Sequence, residues 1–113
     1  MTPYIISRPA PPAITNSAAR LWAALDRDEL TLPFRCLMDR DDITSRLGEI
    51  DCPALILHGT ADAAIPVAKA EAMRAGLAGS AELVLVEGGS HASNLSNPDQ
   101  VNVALLEFLR SLP

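Results

Sequence analysis

Asp62 and His91 are the residues of this 113-residue chain whose types and surroundings suit proton-transfer chemistry. A carboxylate that accepts the Nδ1 proton of an imidazole holds the ring in the tautomer whose Nε2 is free to act as a base. Such a pair supplies the orienting and proton-transferring members of a nucleophile triad and leaves the nucleophile to be found elsewhere. The two lie 29 positions apart (91 minus 62), so proximity along the chain does not join them. Adjacent parallel strands would, because loops at the carboxyl edge of an open α/β sheet share one rim. Each residue also has a plainer reading. Aspartate after a strand commonly binds nearby backbone amides in a turn, and a histidine after two glycines suits a solvated loop. Their joint spacing favours the paired reading.

The elements that must position them are legible in the second half. Pro53-Ala54-Leu55-Ile56-Leu57-His58 is a continuous apolar run without polar alternation, which suits a strand covered on both faces of a parallel sheet. Gly59-Thr60-Ala61-Asp62 breaks it, Pro66 suits the first turn of a helix, and Val67 to Leu77 favours helix, closed by Gly76 and Gly79. Leu83-Val84-Leu85-Val86 is a second apolar run, stopped by Gly88-Gly89. Asn97-Pro98-Asp99-Gln100 reads as a capped helix start. Val101, Ala104, Leu105, Phe108 and Leu109 follow it as one apolar stripe facing the sheet. His58 reads as a structural histidine at the core edge with a ring nitrogen on backbone, a substrate role being the lesser alternative. Gly88-Gly89, without a Lys or a glycine-rich helix start, reads as turn geometry and not as a phosphate loop.

The first half is organised more loosely. Residues 1–14 form an extended, proline-rich lead-in, residues 15–47 a helical segment with a linker, and residues 48–113 the α/β unit. A helix is expected from a cap at Thr15 or Asn16 to about Leu30, with Trp22 packing it against its neighbours. A second runs from Pro33 to Asp39, and a short turn from Ile43 to Leu47 ends at Gly48. Cys36 and Cys52 lack the spacing of a zinc or redox site and are expected to be buried or half-buried thiols. Asp39, Asp41, Asp42 and Asp51 lack the alternation of a calcium loop and read as a solvated acidic linker.

Composition narrows the function further. With 9 Lys and Arg against 14 Asp and Glu, the formal net charge is -5, which argues against nucleic acid as a partner. Aromatic residues make up 4%, leaving few platforms for base stacking. No apolar stretch approaches the roughly 20 residues of a bilayer crossing, and the N-terminus lacks the basic-then-apolar order of a secretory signal. A soluble, cytoplasmic protein without membrane contact is therefore expected.

The stretch from Pro53 to Pro66, with Gly59-x-x-Asp62-x-x-x-Pro66, resembles the seventh strand and acid turn of the α/β-hydrolase superfamily. Gly88-Gly89-Ser90-His91 followed by Asn97-Pro98 and an apolar helix resembles its eighth strand, histidine loop and terminal helix. The resemblance covers residues 41–112 and implies an α/β fold, the C-terminal portion of an α/β-hydrolase, preceded by short cap-like helices. It implies Asp62 as triad acid and His91 as triad base of a serine-type enzyme acting on a carboxylic ester or lactone, of the esterase or enol-lactonase kind. No metal or organic cofactor is implied. Arg40 to Ile50 resembles the linker by which cap-bearing members return to the sheet, and residues 15–40 would then belong to a cap.

One departure matters. The Gly-x-Ser-x-Gly elbow of these enzymes is absent from the 113 residues, and Ser90, directly beside His91, is poorly placed to be aimed at its Nε2. The chain therefore resembles a hydrolase lacking its first five or six strands, inactive by itself, because triad members act as a unit. The edge of strand 53–58 would then pair with an N-terminal hydrolase polypeptide or with a second copy. Two other readings remain: a non-catalytic interaction module, and the smaller chain of a split hydrolase.

Overall fold

Two parallel strands carry the architecture of the computed structural model, which describes residues 12–26, 28 and 30–113. β1 spans Ala54–Gly59 and β2 spans Ala81–Val86, paired in register from Ala54 opposite Ala81 to Gly59 opposite Val86. Both are short apolar runs ended by backbone that only a turn can follow, and neither is long enough for a stable helix. Between them α3 (Val67–Gly76) is, between its terminal Val67 and Gly76, built from Ala, Lys, Glu, Met and Arg, all strong helix formers. It contacts both strands and a 3-10 segment, Thr44–Glu49. The amides of Ala78 and Gly79 donate to the carbonyl of Ile50, at 3.1 and 3.0 Å, and so tie that segment to the loop entering β2.

After β2 the chain makes a single turn of helix, α4 (Ser93–Ser96), and then α5 (Pro98–Ser111). Proline at the first position, Asp99 in the first turn and Arg110 in the last match the orphan amides and the helix dipole. α5 also contacts both strands. The buried core among the described residues is small: Val86, Ala70 and Val101, with Ser90 as its polar member. Ahead of the α/β unit stand α1 (Pro12–Ala24) and α2 (Thr31–Met38), and no residue of α2 is buried. The fold class is thus a partial α/β fold with strand, helix, strand and terminal helix in the expected order.

Several expectations need correction. α1 begins at Pro12, so Thr15 and Asn16 lie inside it and do not cap it; proline is preorganised for a first helical position. It ends at Ala24 and not near Leu30, since the Asp26 carboxylate accepts the amide of Asp28 at 3.0 Å and offers the backbone an alternative to helix. The short turn near Ile43 is a 3-10 segment that runs through Gly48. Cys36 and Cys52 are both exposed, because α2 buries nothing and Cys52 lies in the approach to β1. Asn97 precedes α5 without a side-chain cap; its Nδ2 donates to the carbonyl of Glu87 at 3.2 Å instead. The apolar stripe of α5 is only partly covered, with Val101 7% exposed but Leu105 40% and Leu109 52%, since two strands offer a narrow surface. Of the extended lead-in expected over residues 1–14, residues 12–14 are instead the first turn of α1, while residues 1–11 and the packing of Trp22 lie outside the described residues and side chains.

Candidate active site

The register of β1 and β2 decides where the two loops go. Gly59 opposite Val86 places Asp62 three residues past one strand end (62 minus 59) and His91 five past the other (91 minus 86). Beyond the last strand pair the backbones continue to bond to each other. Thr60 N donates to Val86 O at 3.0 Å, Ala61 N to Gly89 O at 2.9 Å, and Gly88 N to Thr60 Oγ1 at 2.8 Å. Two glycines make this approach possible. A Cβ on Gly59 would stand 2.1 Å from the carbonyl oxygen of Gly89, far inside contact distance. Gly88 has φ 67°, in the left-handed region where other residues are strained.

Asp62 divides its two oxygens between two tasks. Oδ1 accepts the amides of Ala64 at 2.8 Å and Ile65 at 3.0 Å, which is the turn role aspartate often plays. Oδ2 meets Nδ1 of His91 at 2.9 Å. The turn contacts and the contact with His91 are therefore both made, on different oxygens. Its side chain is 4% exposed, and that burial by itself pushes its pKa up. The hydrogen bonds from His91 and from the amides of Ile65 and Ala64, with the charge of His91, outweigh it and hold the carboxyl below its usual range. An ionised carboxylate only accepts, so Nδ1 carries a proton and Nε2 is the ring nitrogen with a lone pair when His91 is neutral. The His91 side chain is 33% exposed, so the pair has a buried member and an accessible one.

Ser90 is fully buried, and its Oγ lies 3.2 Å from Ser96 Oγ, which also accepts the Ser90 amide at 3.2 Å. This pins the residue before His91 and places the Ser90 hydroxyl in the protein interior. Gln100 clamps the end of β2, its Oε1 accepting the Glu87 amide at 3.1 Å and its Nε2 donating to the Glu87 carbonyl at 3.3 Å. Thr60, Ser96 and Gln100 were not foreseen. Each is a common polar residue whose partner lies in another element, and nothing local marks it. His58 has its Nε2 3.0 Å from Ile65 O, in keeping with a structural histidine on backbone.

Two comparisons bear on descent. A family model described as TAP-like protein, an α/β-hydrolase family, matches residues 33–112. A non-heme chloroperoxidase of Streptomyces lividans is 39% identical over 80 residues, which are 69% of this chain and 29% of that protein. A non-heme haloperoxidase of Rhodococcus erythropolis is 39% identical over 70 residues, 62% of this chain and 26% of that protein. The pimeloyl-[acyl-carrier protein] methyl ester esterase of Xanthomonas oryzae pv. oryzae (strain MAFF 311018) is 35% identical over 77 residues, 68% of this chain and 30% of that protein. The chain thus spans less than a third of the length of these relatives. With the family match over most of its residues and a parallel strand, helix, strand and helix beneath it, the chain belongs to the TAP-like family of the α/β-hydrolase superfamily.

Proposed function

We propose that this chain is the acid-and-histidine portion of a serine-type hydrolase acting on a carboxylic ester or lactone. The observation that carries the reading is the 2.9 Å contact of Asp62 Oδ2 with His91 Nδ1, made while Oδ1 is held by two amides. In this reading a serine outside the 113 residues gives its proton to Nε2 of His91 as its oxygen attacks the acyl carbon. The imidazolium, stabilised by Asp62, returns that proton to the departing alcohol or, in a lactone, to the ring oxygen. Water then repeats the sequence on the acyl-serine and releases the acid. The Xanthomonas relative is a methyl ester esterase, in keeping with acyl transfer. No metal or organic cofactor enters these steps, and the setting is cytoplasmic.

The nucleophile lies outside the 113 residues, on an N-terminal hydrolase segment that pairs along the outer edge of β1. Ala54 N and Thr60 N both point to β2, so by the two-residue pleat Leu55 and Leu57 face the other way. With p-nitrophenyl acetate the chain alone should give no turnover above its His91→Ala variant. Adding a polypeptide that carries a Gly-x-Ser-x-Gly elbow should restore turnover, lost again in His91→Ala. Turnover by the isolated chain that disappears in His91→Ala would overturn the missing nucleophile. A second reading, a non-catalytic interaction module, draws on the apolar surface of α5, where Val103 is 57% and Leu106 49% exposed. Association with the elbow-bearing partner without any turnover would favour it, and a folded, monodisperse 12.0 kDa species indifferent to that partner would exclude both.

A further inference from the structure

The sequence contains two histidines, and both imidazoles approach the same carboxylate oxygen. His91 Nδ1 lies 2.9 Å from Asp62 Oδ2, and His58 Nε2 lies 3.9 Å from it. The second separation is too long for a hydrogen bond, and the His58 proton has another destination. Its Nε2 is 3.0 Å from the carbonyl oxygen of Ile65, a pure acceptor, so Nε2 carries the hydrogen. Ile65 is also the residue whose amide donates to Asp62 Oδ1. The peptide units on either side of Ile65 are therefore held at both ends, its N–H by the acid and its C=O by His58. The side chain of His58 is 11% exposed against 33% for His91, so it is the less accessible of the two imidazoles beside the carboxylate.

We infer that His58 is a positioning residue for the acid turn: by donating from Nε2 to Ile65 O it fixes residues 62–65 and thereby keeps Asp62 Oδ2 directed at His91. Without that donor, the Ile65 carbonyl would lose its partner and the turn would open more often, loosening the amides that grip Oδ1. The N–H dipole near Oδ2 would be lost as well. Its catalytic meaning rests on the reading of Asp62 and His91 as an acid–base pair, while the positioning itself is a matter of geometry.

The test uses the full 113-residue chain, labelled with 15N, with two readouts. Long-range 1H–15N spectra report the tautomer of each of the two imidazoles separately, and amide exchange reports the turn. In the wild type, His58 should be found protonated at Nε2 and neutral His91 at Nδ1. In His58→Phe, which keeps ring bulk and loses the donor, exchange of the Ala64 and Ile65 amides should accelerate about tenfold. His91 should shift toward the Nε2-protonated form. His58→Gln, which keeps an amide donor near that position, should recover most of both signals. A wild-type His58 protonated only at Nδ1 would overturn the inference without any variant. So would His58→Phe with unchanged exchange and tautomer, or a Gln variant no better than Phe. Neither readout involves ester turnover, so failure of the hydrolase reading and failure of this one are separable.

Discussion

The rim where the two loops meet and the helices that precede the α/β unit make an instructive contrast. At the rim, bonds from Thr60, Ala61 and Gly88 join one loop to the other, Ser96 holds the Ser90 amide, and the carboxylate at the centre is nearly inaccessible. Along α2, all eight residues are exposed, including Leu32, Phe34 and Leu37. Both regions contain suitable residues. The rim is ordered by pairs distant in sequence that two strands force together, whereas α2 has regular local geometry with no surface among the described residues on which to bury its apolar side. Helical pattern and tertiary packing are separate achievements.

Substitutions can break or sharpen that contrast. The largest effect is expected for Gly59→Ala, which drives a methyl group into the Gly89 carbonyl and parts the two loops. Because the obstacle is backbone, a loss of about 3 kcal/mol or complete failure to fold should follow in urea unfolding monitored by circular dichroism. A variant of unchanged midpoint would mean that the loops are not held in this close approach. Asp62→Asn comes next, at about 2 kcal/mol near pH 7, the worth of hydrogen bonds to a charged group.

The same variant carries a pH signature. The folded pKa of Asp62 lies below its ordinary value, so the folded chain releases this proton at lower pH than the unfolded chain does. Its stabilisation is complete above the unfolded value of about 4 and fades as pH falls through the folded value. Wild type should therefore lose stability on acidification faster than Asp62→Asn, and parallel curves from pH 6 to pH 2 would contradict the depressed pKa.

Thr60→Val should cost about 1 kcal/mol, since it removes the acceptor for Gly88 N and nothing else seen at the rim. The smallest effect belongs to the other region. Leu37→Asp on α2 should change the isolated chain's unfolding midpoint by no more than about 0.5 kcal/mol. A larger loss there would erase the contrast and show that α2 is packed in solution.

Legibility in the sequence follows the range of the interaction. The apolar runs of β1 and β2, the proline opening α5 and the turn at Gly88 are local consequences of residue type, and they stand where the pattern puts them to within a few residues. The meeting of Asp62 with His91 was legible because each follows a strand in a simple topology. Thr60, Ser96 and Gln100 were not, because their partners lie in other elements and a lone threonine, serine or glutamine announces no partner. The exposure of Cys36, Cys52, Leu105 and Leu109 was equally hidden, for burial depends on what else packs nearby.

What residue order by itself determined was the series of elements and the placement of an acid and an imidazole one loop beyond successive strands, because periodicity and turn chemistry act over a few residues. Only the folded chain decided that Asp62 gives one oxygen to its own turn and the other to His91, that His58 bonds the carbonyl of Ile65 beside it, and that Ser90 is buried. Those outcomes depend on the register of Gly59 against Val86, a relation between segments that meet only when the chain returns through α3.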